Sequence, residues 1–173
     1  CFCENHLRRF SELVGERVKR DELVAAILCP GTPHPWRELW LTFQGESVVE
    51  TAAILEKAVH GVSPDTKLGL MSSHPANHII EGRNWTELAG ALSGGRPLAS
   101  RPPLGSYSEW SLRGLYYSAE SIKITRHVLP PGVIEQSEVE NVPFTGYSKS
   151  NAFTFLQMAT SFALGCDAVT MNL

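Results

Sequence analysis

A chain of 173 residues with 43% hydrophobic and 19% charged side chains has the size of one ordinary domain and enough apolar material for a core. Its net charge of −3 gives no electrostatic reason to bind nucleic acid or an anionic membrane. No apolar run approaches the roughly 20 residues of a membrane span, and no secretory-leader pattern is seen. The four cysteines stand at 1, 3, 29 and 166, too close or too far apart for a disulfide framework, so a reducing, cytoplasmic setting is expected.

In chain order, Leu7, Phe10, Leu13 and Val14 fall at helical spacing between His6 and Val14. Residues 16–44 form a Pro-rich excursion with a short helix at DELVAAIL and an aromatic stretch, PWRELWLTF. A longer helix then carries Val48, Ala52, Leu55 and Val59 on one face, with Gly61 at its end. After the Ser63-Pro64-Asp65 turn, KLGLMSS reads as a short buried strand. The helix WTELAGALSGG, a strand near RPLASRPPL and a helix carrying Leu112, Leu115, Ala119 and Ile122 follow. Pro130-Pro131-Gly132 stops that helix. The strand VIEQSEVEN, a helix over about 150–164, a stop at Gly165 and the strand DAVTMNL complete the chain.

Strands therefore start near 67, 97, 133 and 167, in units of about 30 to 36 residues. Such alternation implies a parallel sheet with helices outside it, and an eight-unit barrel has units of this size. An open doubly wound sheet produces the same pattern. No Gly-rich phosphate loop follows any strand, so a nucleotide site is unsupported. The chain opens at CFCENH without a methionine and stops on an apolar strand, which reads as a piece of a longer protein.

SEVENVPFT, residues 137–145, raises the functional question. Strand side chains alternate faces, so Gln136, Glu138 and Glu140 share one face and Ser137 and Val139 the other. A carboxylate on an inner face is costly unless it is paired or used. Glu140, at the strand's carboxyl end, is where a parallel barrel keeps its reactive groups. Retaining glycosidases need two carboxyls about 5 to 5.5 Å apart, but residues stacked on one strand cannot flank a bond, so Glu140's partner should come from another strand. Paired structural acids are the other reading of both residues.

EVENVPFTGYSKSNAFTFLQMATSFALGCDAVTMNL resembles the seventh- and eighth-strand region of family 42 glycoside hydrolases, the β-galactosidase-like members of clan A. Glu140, Asn141, Pro143, Gln157, Gly165 and Asp167 carry the resemblance, and CFCENHLRRF looks like that family's Cys-rich loop after the fourth strand. The resemblance implies a (β/α)8 TIM barrel, of which this chain covers the part from after strand 4 to strand 8. It implies Glu140 as the catalytic nucleophile and an acid/base glutamate upstream of Cys1. The sequence departs from the family at Asn141, where glutamine is usual, and at His6, where the loop has a third cysteine.

Cys1, Cys3 and His6 suit a structural Zn²⁺, with a fourth ligand from upstream or from Cys29; no cofactor is needed for the hydrolysis itself. His74 and His78 lie four apart, a metal-pair spacing on a helix, but Pro75 argues against a helix there. As substrate contacts, Asn141, Glu138, Tyr147, His74 and Arg101 are the candidates. Trp85, Trp110, Tyr116 and Tyr117 fit helix or core packing, and Cys166 a small buried hydrophobe. The expected function is hydrolysis of a glycosidic bond with retention. A sugar-binding barrel without chemistry and a metal-dependent hydrolase using His74 and His78 are the alternatives. The expected partner is a carbohydrate, with self-association or the remaining barrel half covering the exposed sheet.

Overall fold

The computed structural model describes residues 2–104, 107–140 and 149–172, with Ser111 and Asn172 described by their backbone. The first third is helical. Helix α1, Glu4–Val14, turns at Gly15, whose φ of +79° favours glycine. Helix α2 spans Arg20–Leu28. Helix α3, Pro35–Val62, is a single 28-residue helix that joins the aromatic stretch to the apolar face read separately in the sequence. Pro35 suits its first position because no N–H is needed there, and it runs past Gly61 to Val62. Phe10 of α1 lies edge-on to Trp40 of α3 at 5.1 Å, and Leu7, Val18, Leu23 and Phe43 close this first core.

The remainder alternates strand and helix. Strands β1 (Gly69–Met71), β2 (Ala99–Arg101), β3 (Ile134–Glu140) and β4 (Ala168–Asn172) form one parallel sheet in the order β1-β2-β3-β4. Helix α4, Trp85–Ser93, lies between β1 and β2; α5, Gly114–Val128, between β2 and β3; and α6, Asn151–Ala163, between β3 and β4. Two short 3₁₀ helices, Pro75–Glu81 and Glu109–Ser111, follow β1 and β2. Because the strand order never reverses, right-handed crossovers put α4, α5 and α6 on one face of the sheet.

Burial along β3 follows the alternation. Glu135, Ser137 and Val139 are buried and Gln136, Glu138 and Glu140 half-buried. Val139 packs with Leu104, Ile122 and Cys166, so that side faces the helices. Leu70 of β1 shares a second core with Ala52, Leu88, Ala89, Leu98 and Leu129, which α3 reaches with its second half. Buried Glu135 on the helix side is held by Arg126 of α5, whose Nε donates at 2.9 Å, and its backbone N–H donates to Asp167 at 2.8 Å.

Several expectations change. The half of a TIM barrel is not what forms: the described residues make a single open four-stranded sheet preceded by a helical segment, with β1 and β4 as its edges. Alternating units dictate a parallel sheet, but closure needs eight tilted strands with a fixed stagger, which local periodicity cannot specify. Pro75 does not prevent helix; it opens the 3₁₀ helix, where proline's fixed φ is favourable. Trp110, Tyr116 and Tyr117 do not pack inside but are 95%, 74% and 64% exposed.

Candidate functional site

The open face carries its polar side chains where β1, β2 and β3 end. Met71 pairs in register with Arg101, and a bridge from Pro103 to Glu138 brings the end of β2 beside β3. Arg101 reaches across to form an ion pair with Glu138. From the loop after β2, the Tyr107 hydroxyl donates to Glu138 Oε2 at 2.6 Å. Glu138 is thus gripped from two sides, which offsets the cost of its burial. Burial pushes the Tyr107 phenol up and the charge of Glu140 adds to this, against the pull of Arg101, so Tyr107 is a neutral donor at ordinary pH.

These groups line a cavity of about 310 Å³ together with Ser72, His74 and His78. Ser72 Oγ and Arg101 Nε are buried in its wall without a partner, so a ligand bearing hydroxyls would satisfy both. Glu140 does not line this cavity. It sits half-buried at the end of β3, about 7 Å from Glu138 along the strand by the strand's rise. Its carbonyl accepts from Lys149 Nζ at 2.9 Å, and the same amine donates to the buried Gln157 Oε1 at 2.8 Å. Burial lowers the Lys149 pKa. Asn141, Pro143 and Tyr147 lie outside the described residues.

The two histidines do not form a metal pair. His78 Nε2 accepts from the Ser73 N–H at 3.1 Å, which places its proton on Nδ1, 3.1 Å from Glu81 Oε2. Both of its nitrogens are occupied. His74 caps the 3₁₀ helix, its Nδ1 accepting from the Ala76 N–H. Among the described residues, no three His, Cys, Asp or Glu side chains converge on one point.

At the other end of the chain, Cys3 Sγ lies 3.0 Å from His6 Nδ1. Cys1 is outside the described residues, and Cys29 donates to the Thr32 carbonyl at 3.8 Å instead of joining the pair. Among the described residues, Cys3 and His6 are the two donors brought together here, where a closed zinc site takes four. The hydrogen bond to His6 draws the Cys3 thiol down to about 7. Alkylation of Cys3 by iodoacetamide, followed by peptide mass spectrometry, should therefore reach half its maximal rate near pH 7. His6→Ala should move that midpoint up by more than one unit, towards the roughly 8.5 of a free thiol. Identical profiles for the two proteins would refute the pairing. Cys166, buried and pushed up by that burial, should resist at both.

A larger cavity, about 980 Å³, lies elsewhere, against α3 between Phe2, Trp40, Leu55 and Ile80. Arg37 donates there to the Ile27 and Cys29 carbonyls, and Arg83 Nη2 to Glu81, while Arg83 Nε and Nη1 are buried without a partner among the described residues. Its lining is mostly apolar, with Glu81, Arg37 and Arg83 among it, whereas the smaller cavity brings Glu138, Arg101 and Tyr107 together at the carboxyl ends of the strands, where open parallel sheets bind ligands.

Sequence reasoning missed the contact between Tyr107 and Glu138. They are 31 positions apart, and only the pairing of β2 with β3 brings them together. Fold and site define a parallel α/β domain with a carboxylate-bearing polar cavity at the carboxyl ends of its strands. No protein-family model matches the chain, and neither a curated protein nor a solved structure matches it.

Proposed function

We propose that this cavity binds a carbohydrate and that the protein hydrolyses a glycosidic bond with retention. One observation carries the reading: Arg101 and Tyr107 fix Glu138 in a small polar cavity, with Glu140 next to it on the same face. Arginine, phenol, serine and carboxylate together match the hydroxyls of a sugar ring. Glu140 attacks the anomeric carbon, the C–O bond to the leaving group breaks, and a glycosyl-enzyme forms that water then opens. Glu138 orients the sugar. The proton for the leaving group comes from a carboxyl outside this strand, since Glu138 is committed to Arg101 and Tyr107. Cys3, Cys29 and Cys166 are free thiols, which supports a reducing, cytoplasmic setting. No described helix is long and apolar enough to cross a membrane.

Incubation with a panel of 2-fluoro glycosides, followed by intact and peptide mass spectrometry, tests the reading. One glycoside should add a stable adduct at Glu140. Glu140→Gln should abolish the adduct and lower turnover roughly 10⁴-fold or more, as removal of a nucleophile does elsewhere. An adduct at another residue removes Glu140 from this role. Binding of sugars without any adduct or turnover leaves a carbohydrate-binding domain without chemistry.

A further inference from the structure

Next to the cavity, the 3₁₀ helix Glu109–Ser111 and the start of α5 expose Trp110, Leu112, Tyr116 and Tyr117, at 95%, 58%, 74% and 64%. A single exposed aromatic residue needs no explanation, but four large apolar side chains within eight positions form a patch. The patch is fixed to the rim of the site. Glu109 accepts from the Ser150 N–H at 2.9 Å and from its hydroxyl. Ser150 caps α6 and follows Lys149, which holds the Glu140 carbonyl. On its other side the patch is three residues from Tyr107, which bounds its distance from the cavity wall to about 10 Å of chain.

Its chemistry points to one occupant. Trp110 and Leu112 border a cleft of about 270 Å³ together with Glu109 and Arg113. The Tyr116 and Tyr117 rings meet edge to face at 5.9 Å. A sugar ring has C–H groups on its faces and hydroxyls around its edge. An indole stacks on the first, while phenols and a guanidinium meet the second. At about 310 Å³ the polar cavity is at the small end of ligand sites, which run roughly 300–1,000 Å³. A chain of sugars seated there would continue over the rim.

We infer that the ligand is an oligosaccharide or polysaccharide whose outer sugar stacks on Trp110. This rests on the carbohydrate reading of the cavity. Electrophoresis of the whole chain through gels containing soluble galactan, xylan, mannan or mixed-linkage glucan tests it. At least one polysaccharide should retard the protein, and Trp110→Ala should weaken that retention roughly tenfold in apparent Kd. Because Trp110 is exposed, the variant should keep the wild-type melting temperature.

Each outcome decides a separate point. Retention that needs Trp110 in a protein no 2-fluoro glycoside labels keeps the platform and removes the hydrolysis. Labelling at Glu140 with no retention by any of the four polysaccharides keeps the hydrolysis and overturns the platform. Retention equal in wild type and Trp110→Ala also overturns it. So does a wild-type dimer that Trp110→Ala makes monomeric by light scattering without change in retention, which assigns the patch to self-association.

Discussion

Gly82→Ala should be among the most destabilising single substitutions in this protein, lowering stability by about 2–5 kcal/mol. Gly82 ends the 3₁₀ helix Pro75–Glu81 with a φ of +64°, and a Cβ there would collide with the Leu41 carbonyl of α3. Two independent costs add. The left-handed conformation costs a residue with a Cβ roughly 1–2 kcal/mol, and forcing backbones apart in a packed contact about 1–3 kcal/mol. The opposing position makes the argument sharper. Gly45, within α3, faces the Gly82 carbonyl at a distance no Cβ tolerates. An alanine in an ordinary helix interior stabilises by up to about 1 kcal/mol over glycine. Gly61, in the same helix with nothing near it, should show that gain, whereas Gly45→Ala should destabilise. For a chain of this length, a loss of 3 kcal/mol lowers the melting temperature by roughly 6–12 °C. Calorimetry of the three variants decides the matter, and equal gains for Gly45→Ala and Gly61→Ala would show that α3 and the 3₁₀ helix do not touch backbone to backbone. The site shares in the outcome, because this helix carries His74 and His78 into the cavity wall.

Arg101→Met should have the second large effect, and it reports on the site itself. The Arg101 and Glu138 side chains are 25% and 12% exposed. Removing the guanidinium leaves a mostly buried carboxylate held, among the described residues, by the Tyr107 hydroxyl. Loss of one partner of a fully buried pair costs about 3–5 kcal/mol, and the partial exposure here reduces that to about 2–3 kcal/mol. The double variant Arg101→Met/Glu138→Leu should recover at least half of the loss, because two apolar side chains leave no charge stranded. A double variant less stable than Arg101→Met would mean that Arg101 stabilises through packing rather than through Glu138. A spectroscopic signature accompanies the change. Arg101 is the one cause drawing the Tyr107 phenol downward, against burial and Glu140. Without it, an ultraviolet pH titration should find one tyrosine ionising at still higher pH than in the wild type. Because the Tyr107 phenol is pushed up, it stays protonated across the neutral range, so its hydrogen bond to Glu138 should hold there.

What the sequence determined by itself is local. The alternation over 134–140 assigned Glu138 and Glu140 to one face and Ser137 and Val139 to the other, since side chains along a strand have a period of two whatever surrounds them. Gly165 marked a helix end because glycine takes a positive φ at little cost wherever it falls. The number of strands was legible because strand and helix patterns alternate locally along the chain. Pro75 was misread because its effect depends on whether it falls inside a helix or at the first position, and the sequence alone does not say which. Helix α3 was read in two parts because its halves face two different cores, which interrupts a single apolar stripe.

Tertiary structure decided the rest. Whether four parallel strands stay open or belong to a closed barrel depends on strand number and stagger across the whole sheet, not on any local period. The pairing of Arg101 and Tyr107 with Glu138 joins groups more than 30 positions apart. Trp110 and Tyr116 have the composition of core residues and lie outside it. Burial and long-range contact are properties of the packed chain, and residue type sets only their odds.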